Sequence, residues 1–157
     1  MRDSMRITPN LIVGKDQPTE ADLQEMAMRG VRTVIDLRQA GEGNQPLPPP
    51  DEGIAARRFG MTYRHLPMGI GVPSKDTLDL MHDELARLPT PIFIHCASGK
   101  RSGMVALMHH AINEKMTSEQ MMTRAEELGV AYGSDSVKDA YRRYVDHKVA
   151  PQFTERM

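Results

Sequence analysis

Pro91-Ile92-Phe93-Ile94-His95-Cys96-Ala97-Ser98-Gly99-Lys100-Arg101-Ser102-Gly103 joins a short apolar run, a glycine-bearing turn and a helix-like segment around the chain's only cysteine. Ile92, Phe93 and Ile94 are β-formers bounded by Pro91 and polar residues, the pattern of a buried strand. Residues 104–115 are mostly good helix formers, so Cys96 is placed at a strand-to-helix turn. With a helix starting at Ser102, a loop over residues 96–101 would turn successive backbone N–H groups inward beside a helix N-terminus, which makes an anion site. A thiol there ionises easily: the helix end and Arg101 together can bring a cysteine from about 8.5 to between ~3.5 and ~7.5.

In that setting Cys96 is the candidate nucleophile, and Ala97, Ser98, Gly99, Lys100 and Arg101 form the anion cradle. Gly99 supplies backbone freedom, and the fork of donors on Arg101 suits two oxygens of a tetrahedral oxyanion. Ser102 is placed to hydrogen-bond the sulfur and to stabilise it as a leaving group in the second half of a two-step displacement. The alternative for a lone cysteine is simple space filling, as a small hydrophobe. The run of small, small, glycine, basic, arginine and serine after it favours the nucleophile. His95 either tunes the cysteine electrostatically or closes the strand and bonds the backbone.

Working outward, Thr19 with Asp22 predicts an N-cap for a helix through Arg29, ended by Gly30, with Leu23, Met26 and Ala27 as its buried stripe. Residues 31–37 read as a strand covered on both faces, with Asp36 and Arg38 at its C-terminal end, where Asp36 is either a turn former, the commoner role of an aspartate closing a strand, or a catalytic acid. The stretch 39–50, ending in Pro48-Pro49-Pro50, is long for a connection and reads as a mobile surface loop, a lid or a substrate rim. A short helix over 51–59, a strand over 63–66 and a glycine-rich loop over 68–73 follow. Ser74 caps a helix bearing Leu78, Met81, Leu85 and Leu88 on one face, which runs into the cysteine strand. Thr117 with Gln120 predicts a capping box for a helix to Leu128, and residues 136–147 a last helix. Alternating strands and helices give an α/β three-layer sandwich, one domain over 1–157, with a mostly parallel sheet of four or five strands flanked by helices. The crevice of such a sheet lies beyond the carboxyl ends of its strands, which would gather Asp36, the 68–73 loop, Cys96 and Arg101.

The segment from His95 to Ser102 resembles the phosphate-binding loop of the cysteine-dependent protein tyrosine and dual-specificity phosphatases. It resembles more closely the same loop of the bacterial beta-lactamase-hydrolase-like (DUF442) phosphatases. Ile7-Thr8-Pro9-Asn10-Leu11, Gln17-Pro18-Thr19, Gly30-Val31-Arg32-Thr33-Val34-Ile35-Asp36-Leu37-Arg38 and Tyr63-Arg64-His65-Leu66-Pro67 are similar to landmarks of that family, in order. The resemblance implies a dual-specificity-phosphatase-like fold and hydrolysis of a phosphate ester through a phosphocysteine, without cofactor or metal. Two departures stand out. Phosphatases of the superfamily generally have five residues between cysteine and arginine; here Ala97, Ser98, Gly99 and Lys100 make four, the loop length typical of rhodanese sulfurtransferases. The aspartate that usually follows the segment matching Leu66-Pro67 is replaced by Met68-Gly69-Ile70-Gly71. Asp36 and Asp76 are the candidates for the general acid, whose absence would lose roughly 10²–10⁴ in rate from a poor leaving group.

Composition narrows the partners. Twenty basic against 21 acidic residues leave no field to recruit nucleic acid or an anionic membrane. One cysteine excludes an internal disulfide, the N-terminus lacks the apolar run of a secretory signal, and no apolar run approaches the ~20 residues of a membrane span, so a cytoplasmic protein is expected. Thirteen methionines point to an adaptable core. Adjacent His109 and His110 point about 100° apart, which argues against a shared metal. Three readings follow: a hydrolase of a small phosphate ester; a sulfurtransferase taking a sulfane sulfur donor and carrying a persulfide on Cys96; and a non-catalytic anion-binding module. The first leads because similarity spans the chain. Oligomeric state is outside the reach of the sequence.

Overall fold

A computed structural model describes residues 4–154, with side chains to residue 150. Five strands form one mixed sheet: β1 (Ser4–Thr8), β2 (Leu11–Gly14), β3 (Thr33–Asp36), β4 (Thr62–His65) and β5 (Ile92–His95), in the order β1-β2-β5-β3-β4. All pairs are parallel except β1 with β2, so the expected mostly parallel sheet carries one antiparallel edge hairpin. Strand β5 is central, and all four of its residues are buried, as are those of β2 and β3. That explains why these segments are near-continuous apolar runs rather than alternating ones.

Register decides which side chains meet. Ile12, Phe93, Val34 and Tyr63 lie in one row across four strands, and two residues further along Gly14, His95, Asp36 and His65 form another. Because side chains alternate between faces, both rows share one face of the sheet. There they meet α1 (Glu20–Met28) and α2 (Pro49–Arg58), packing Leu23, Met26, Ala55 and Ala56 against Ile12, Val34, Tyr63 and Phe93. The opposite face carries Leu11, Val13, Ile35, Ile92 and Ile94. It is covered by α3 (Lys75–Arg87), α4 (Lys100–Asn113), α5 (Ser118–Leu128) and α6 (Asp135–Thr154). Helix α4 is buried from Ser102 through His109, so it is the hub of that layer.

The caps explain the boundaries. Thr19 and Asp22 close a capping box at α1, Thr117 and Gln120 another at α5, and the Ser74 hydroxyl accepts from the Thr77 N–H at α3. Helix α4 starts at Lys100, not at Ser102 as expected. Gly99 takes the cap position at φ 93°, a left-handed conformation that favours glycine, and a side chain there would press on the Lys15 backbone. The last helix also extends beyond the predicted 136–147 at both ends. Among the described residues no helix is long and apolar enough to cross a membrane.

Candidate active site

Cys96 follows the last residue of β5, and the chain then turns over Ala97, Ser98 and Gly99 into α4. One residue past His95, its side chain falls on the α4 face and is 1% exposed. Its sulfur lies 3.2 Å from the Gly99 backbone N–H, which donates to it, and 3.4 Å from the Ser102 hydroxyl. Burial alone would raise the thiol; the Ser102 hydroxyl and the backbone N–H groups of Ser102, Ser98 and Gly99 outweigh it and hold the thiol below the ordinary cysteine value. The early start of α4 strengthens this arrangement, since the loop N–H groups and the helix N-terminus converge on one atom.

A cavity of ≈ 460 Å³ opens over the loop. Ala97, Ser98, Lys100 and Arg101 form its floor, and residues of the 68–73 loop one wall. Tyr132, Val137 and Tyr141, from α6 and the turn before it, form another wall; sequence reading assigned them no part in the site. Tyr141 is a fully buried residue of α6 whose hydroxyl is raised, first by burial and then by the negative charge on Cys96.

Glu42 closes the cavity from the 39–48 segment. Its Oε2 accepts from Arg101 Nη1 at 2.8 Å and its Oε1 from Arg101 Nη2 at 2.9 Å. Oε2 also accepts from the Gln39 N–H at 2.6 Å, and Arg101 Nη1 donates in addition to the Met68 carbonyl at 2.8 Å. The Arg101 hydrogen bonds hold the Glu42 carboxyl below the usual carboxylate range against a smaller opposing effect of burial. The segment read as a mobile loop, lid or rim is thus tied down: Gln17 donates to the Asn44 carbonyl, Gln45 to that of Gln39 and Arg38 to that of Leu47.

Behind the loop, on the other face of the sheet, lies a buried polar cluster. Arg38, Asp36, Glu52 and His95 are each 0% exposed. Arg38 donates to Asp36 through Nε at 2.9 Å and Nη2 at 2.8 Å, to Glu52 at 3.0 Å and to Gln17 at 2.6 Å. Tyr63 donates its hydroxyl to Asp36 at 2.9 Å. His95 Nε2 pairs with Glu52 Oε2 at 2.6 Å, while its Nδ1 lies 3.3 Å from the Cys96 carbonyl oxygen. Burial opposes charge on His95, but the Glu52 and Asp36 carboxylates outweigh it and raise the imidazole. Asp36 is lowered, because its bonds to Arg38 and the charge of His95 overcome the burial effect.

The sequence candidates therefore separate. Cys96, Arg101, Ser102 and the residues 97–100 come together, with His95 directly behind them. Asp36 does not reach the cavity: it pairs in register with His95, so it projects to the α2 face, away from Cys96, with both oxygens engaged. Asp76 sits exposed in the first turn of α3 and does not line the cavity either. Glu42 and Glu52 escaped sequence reading. Glu52 carried a faint signal, three and four residues before the buried Ala55 and Ala56, and Glu42 none. Asp36, Glu52 and His95 bring ligand atoms within 4.8 Å of one another, a set that could hold a metal ion by type. The Arg38 guanidinium already supplies the positive charge between the two carboxylates, which closes the cluster to a cation. His82 and His109 meet across α3 and α4 at 2.8 Å, away from the cavity; burial, then the neighbouring histidines, take His109 down to about 4.

The family model for the phosphatase-like domain of beta-lactamase hydrolase-like proteins matches residues 3–113. A beta-lactamase hydrolase-like protein of Xylella fastidiosa is 33% identical over 121 residues, covering 76% of this chain and 27% of its own length. The chain thus spans about a quarter of that relative. A DUF442 phosphatase-class structure from Shewanella putrefaciens superposes with a TM-score of 0.74 at 20% identity, over 95% of this chain and 94% of that one. PTPMT1 in complex with PI(5)P superposes with a TM-score of 0.77 at 14% identity, over 95% and 98%. The fold is therefore that of these two neighbours. Because the family match contains Cys96, its loop, Ser102 and Arg101 as well as the buried cluster behind them, the chain belongs to the beta-lactamase hydrolase-like phosphatase-like domain family.

Proposed function

We propose that the chain is a phosphoric monoester hydrolase. Cys96 attacks phosphorus as a thiolate, Arg101 and the loop N–H groups hold the phosphoryl oxygens, and water then cleaves the phosphocysteine, with Ser102 donating to the sulfur as it leaves. The observation that carries this reading is the Cys96 sulfur, which accepts from the Gly99 N–H and lies 3.4 Å from the Ser102 hydroxyl, beneath a cavity whose floor includes Arg101. The donor count on the arginine supports this reading. Of its five N–H groups, Glu42 and Met68 take three, leaving Nε–H and one Nη2–H as a side-on fork for an oxyanion. The substrate is a small anionic phosphate ester. PTPMT1 is seen with a phosphoinositide, but here Lys100 and Arg101 are the only cations lining the cavity among the described residues, and Arg101 is already paired, so a single phosphoryl group fits the charge best.

The test is phosphate release from an aryl phosphate by wild type and by Cys96→Ser, with folding checked by circular dichroism. Release by wild type that is lost in the variant is expected. Full activity in Cys96→Ser, or sulfur transfer from thiosulfate without phosphate release by wild type, would overturn the reading.

A further inference from the structure

We propose that Glu42 is the proton donor to the leaving group, a role that rests on the hydrolase reading above. Of the residues lining the cavity among those described, Glu42 is the sole carboxylate. Asp36 lies on the other face of the sheet and Asp76 outside the cavity. Tyr141, whose hydroxyl burial and the thiolate both raise, keeps its proton. Glu42 also touches the group that binds the phosphoryl oxygens, since both its oxygens lie within 2.9 Å of Arg101 nitrogens. An ester whose non-bridging oxygens take the free fork of Arg101 sets its phosphoryl group next to this carboxyl, and in-line attack by Cys96 turns the bridging oxygen outward into the cavity that Glu42 closes.

The proton arrives with the substrate. In the empty cavity Glu42 is ionised: Arg101 faces it from α4, the Gln39 N–H from its own segment, and Arg38 acts at longer range from the end of β3. A phosphoryl dianion on the same guanidinium competes for that charge and places two negative charges beside the carboxylate, next to the Cys96 thiolate. Like charges at such distances favour protonation, so Glu42 takes a proton from solvent or from the monoanionic form of the ester. In the first step the Cys96 sulfur forms a bond to phosphorus, the bond from phosphorus to the leaving oxygen breaks, and the Glu42 proton passes to that oxygen. In the second, the Glu42 carboxylate takes a proton from the attacking water. The oxygen–phosphorus bond forms, the sulfur–phosphorus bond breaks, and thiolate and orthophosphate result.

Leaving-group dependence separates this role from a mere hold on Arg101. In Glu42→Gln, turnover of phenyl phosphate, whose phenolate leaves poorly, is expected to fall about 10²–10³-fold, while that of p-nitrophenyl phosphate falls only several-fold. The alkaline limb of the kcat profile on phenyl phosphate should vanish with it. Equal losses on both esters with that limb retained would overturn the proposal and make Glu42 a positioning residue for Arg101. Should the variant fail to fold, the wild type decides. A shallow dependence of rate on leaving-group basicity across substituted phenyl phosphates is expected, and a steep one overturns the proposal. Failure of wild type on every ester, with Cys96 still alkylated by iodoacetamide, would instead refute the hydrolase reading and this proposal with it.

Discussion

His95 and Glu52 pair at 2.6 Å behind the nucleophile, both fully buried, one on the central strand and the other on a helix of the opposite layer. The imidazole also sits one residue from the cysteine and 3.3 Å from its carbonyl oxygen. Glu52 raises this imidazole while burial raises Glu52 itself, so the two share a proton, and positive character on His95 favours the thiolate on the other side of the sheet.

Glu52→Gln should therefore raise the Cys96 thiol. The rate of iodoacetamide alkylation against pH measures this directly. An unchanged profile in a folded variant would mean that Glu52 serves packing alone.

Asp36 gives a stability profile with a definite sign. Its folded carboxyl is lower than in the unfolded chain, where ~3.9 is usual, so its contribution is complete above that value and fades as pH falls through the folded one. Asp36→Asn leaves Glu52 as the single carboxylate for the buried charges of both Arg38 and His95, and breaking such a pair costs about 3–5 kcal/mol. In urea titrations the gap between wild type and variant should be widest near pH 7 and narrow below about pH 4. A gap that stays constant with pH would contradict an ionised Asp36.

Arg101→Lys keeps the charge but not the fork. A lysine ammonium cannot bond the two Glu42 oxygens and an oxyanion side-on at once. Aryl phosphate turnover is expected to fall at least about 10²-fold, the usual effect of losing one preorganised donor, while Cys96 remains alkylated. Retained turnover would show that charge alone suffices.

Gly14→Ala tests how tightly the sheet end is packed. A Cβ built there overlaps the Phe93 ring at Cζ and meets His95 Cβ at 3.2 Å. Overpacking of this kind costs about 1–3 kcal/mol, which a thermal melt should show as a lowered Tm. No loss of stability would mean that Phe93 repacks freely.

The sequence by itself determined the local pieces. Ile92, Phe93 and Ile94 before Cys96, the capping pairs Thr19 with Asp22 and Thr117 with Gln120, and the stripe Leu78, Met81 and Leu85 depend on neighbours within a few residues, so their spacing suffices. The cysteine loop is legible for the same reason: nucleophile, glycine, arginine and serine span seven consecutive residues. Tertiary structure decided what register and loop path control. Asp36 looked like an acid at a strand end, but its pairing with His95 sends it to the face opposite Cys96, and strand parity across a sheet is invisible to local spacing. Glu42 lies 59 residues from Arg101, and it reaches that arginine only because Arg38 and Gln17 anchor the segment that carries it. Partners brought together through buried long-range hydrogen bonds leave no periodic trace in the chain, and so the carboxylate of the site emerged only from the fold.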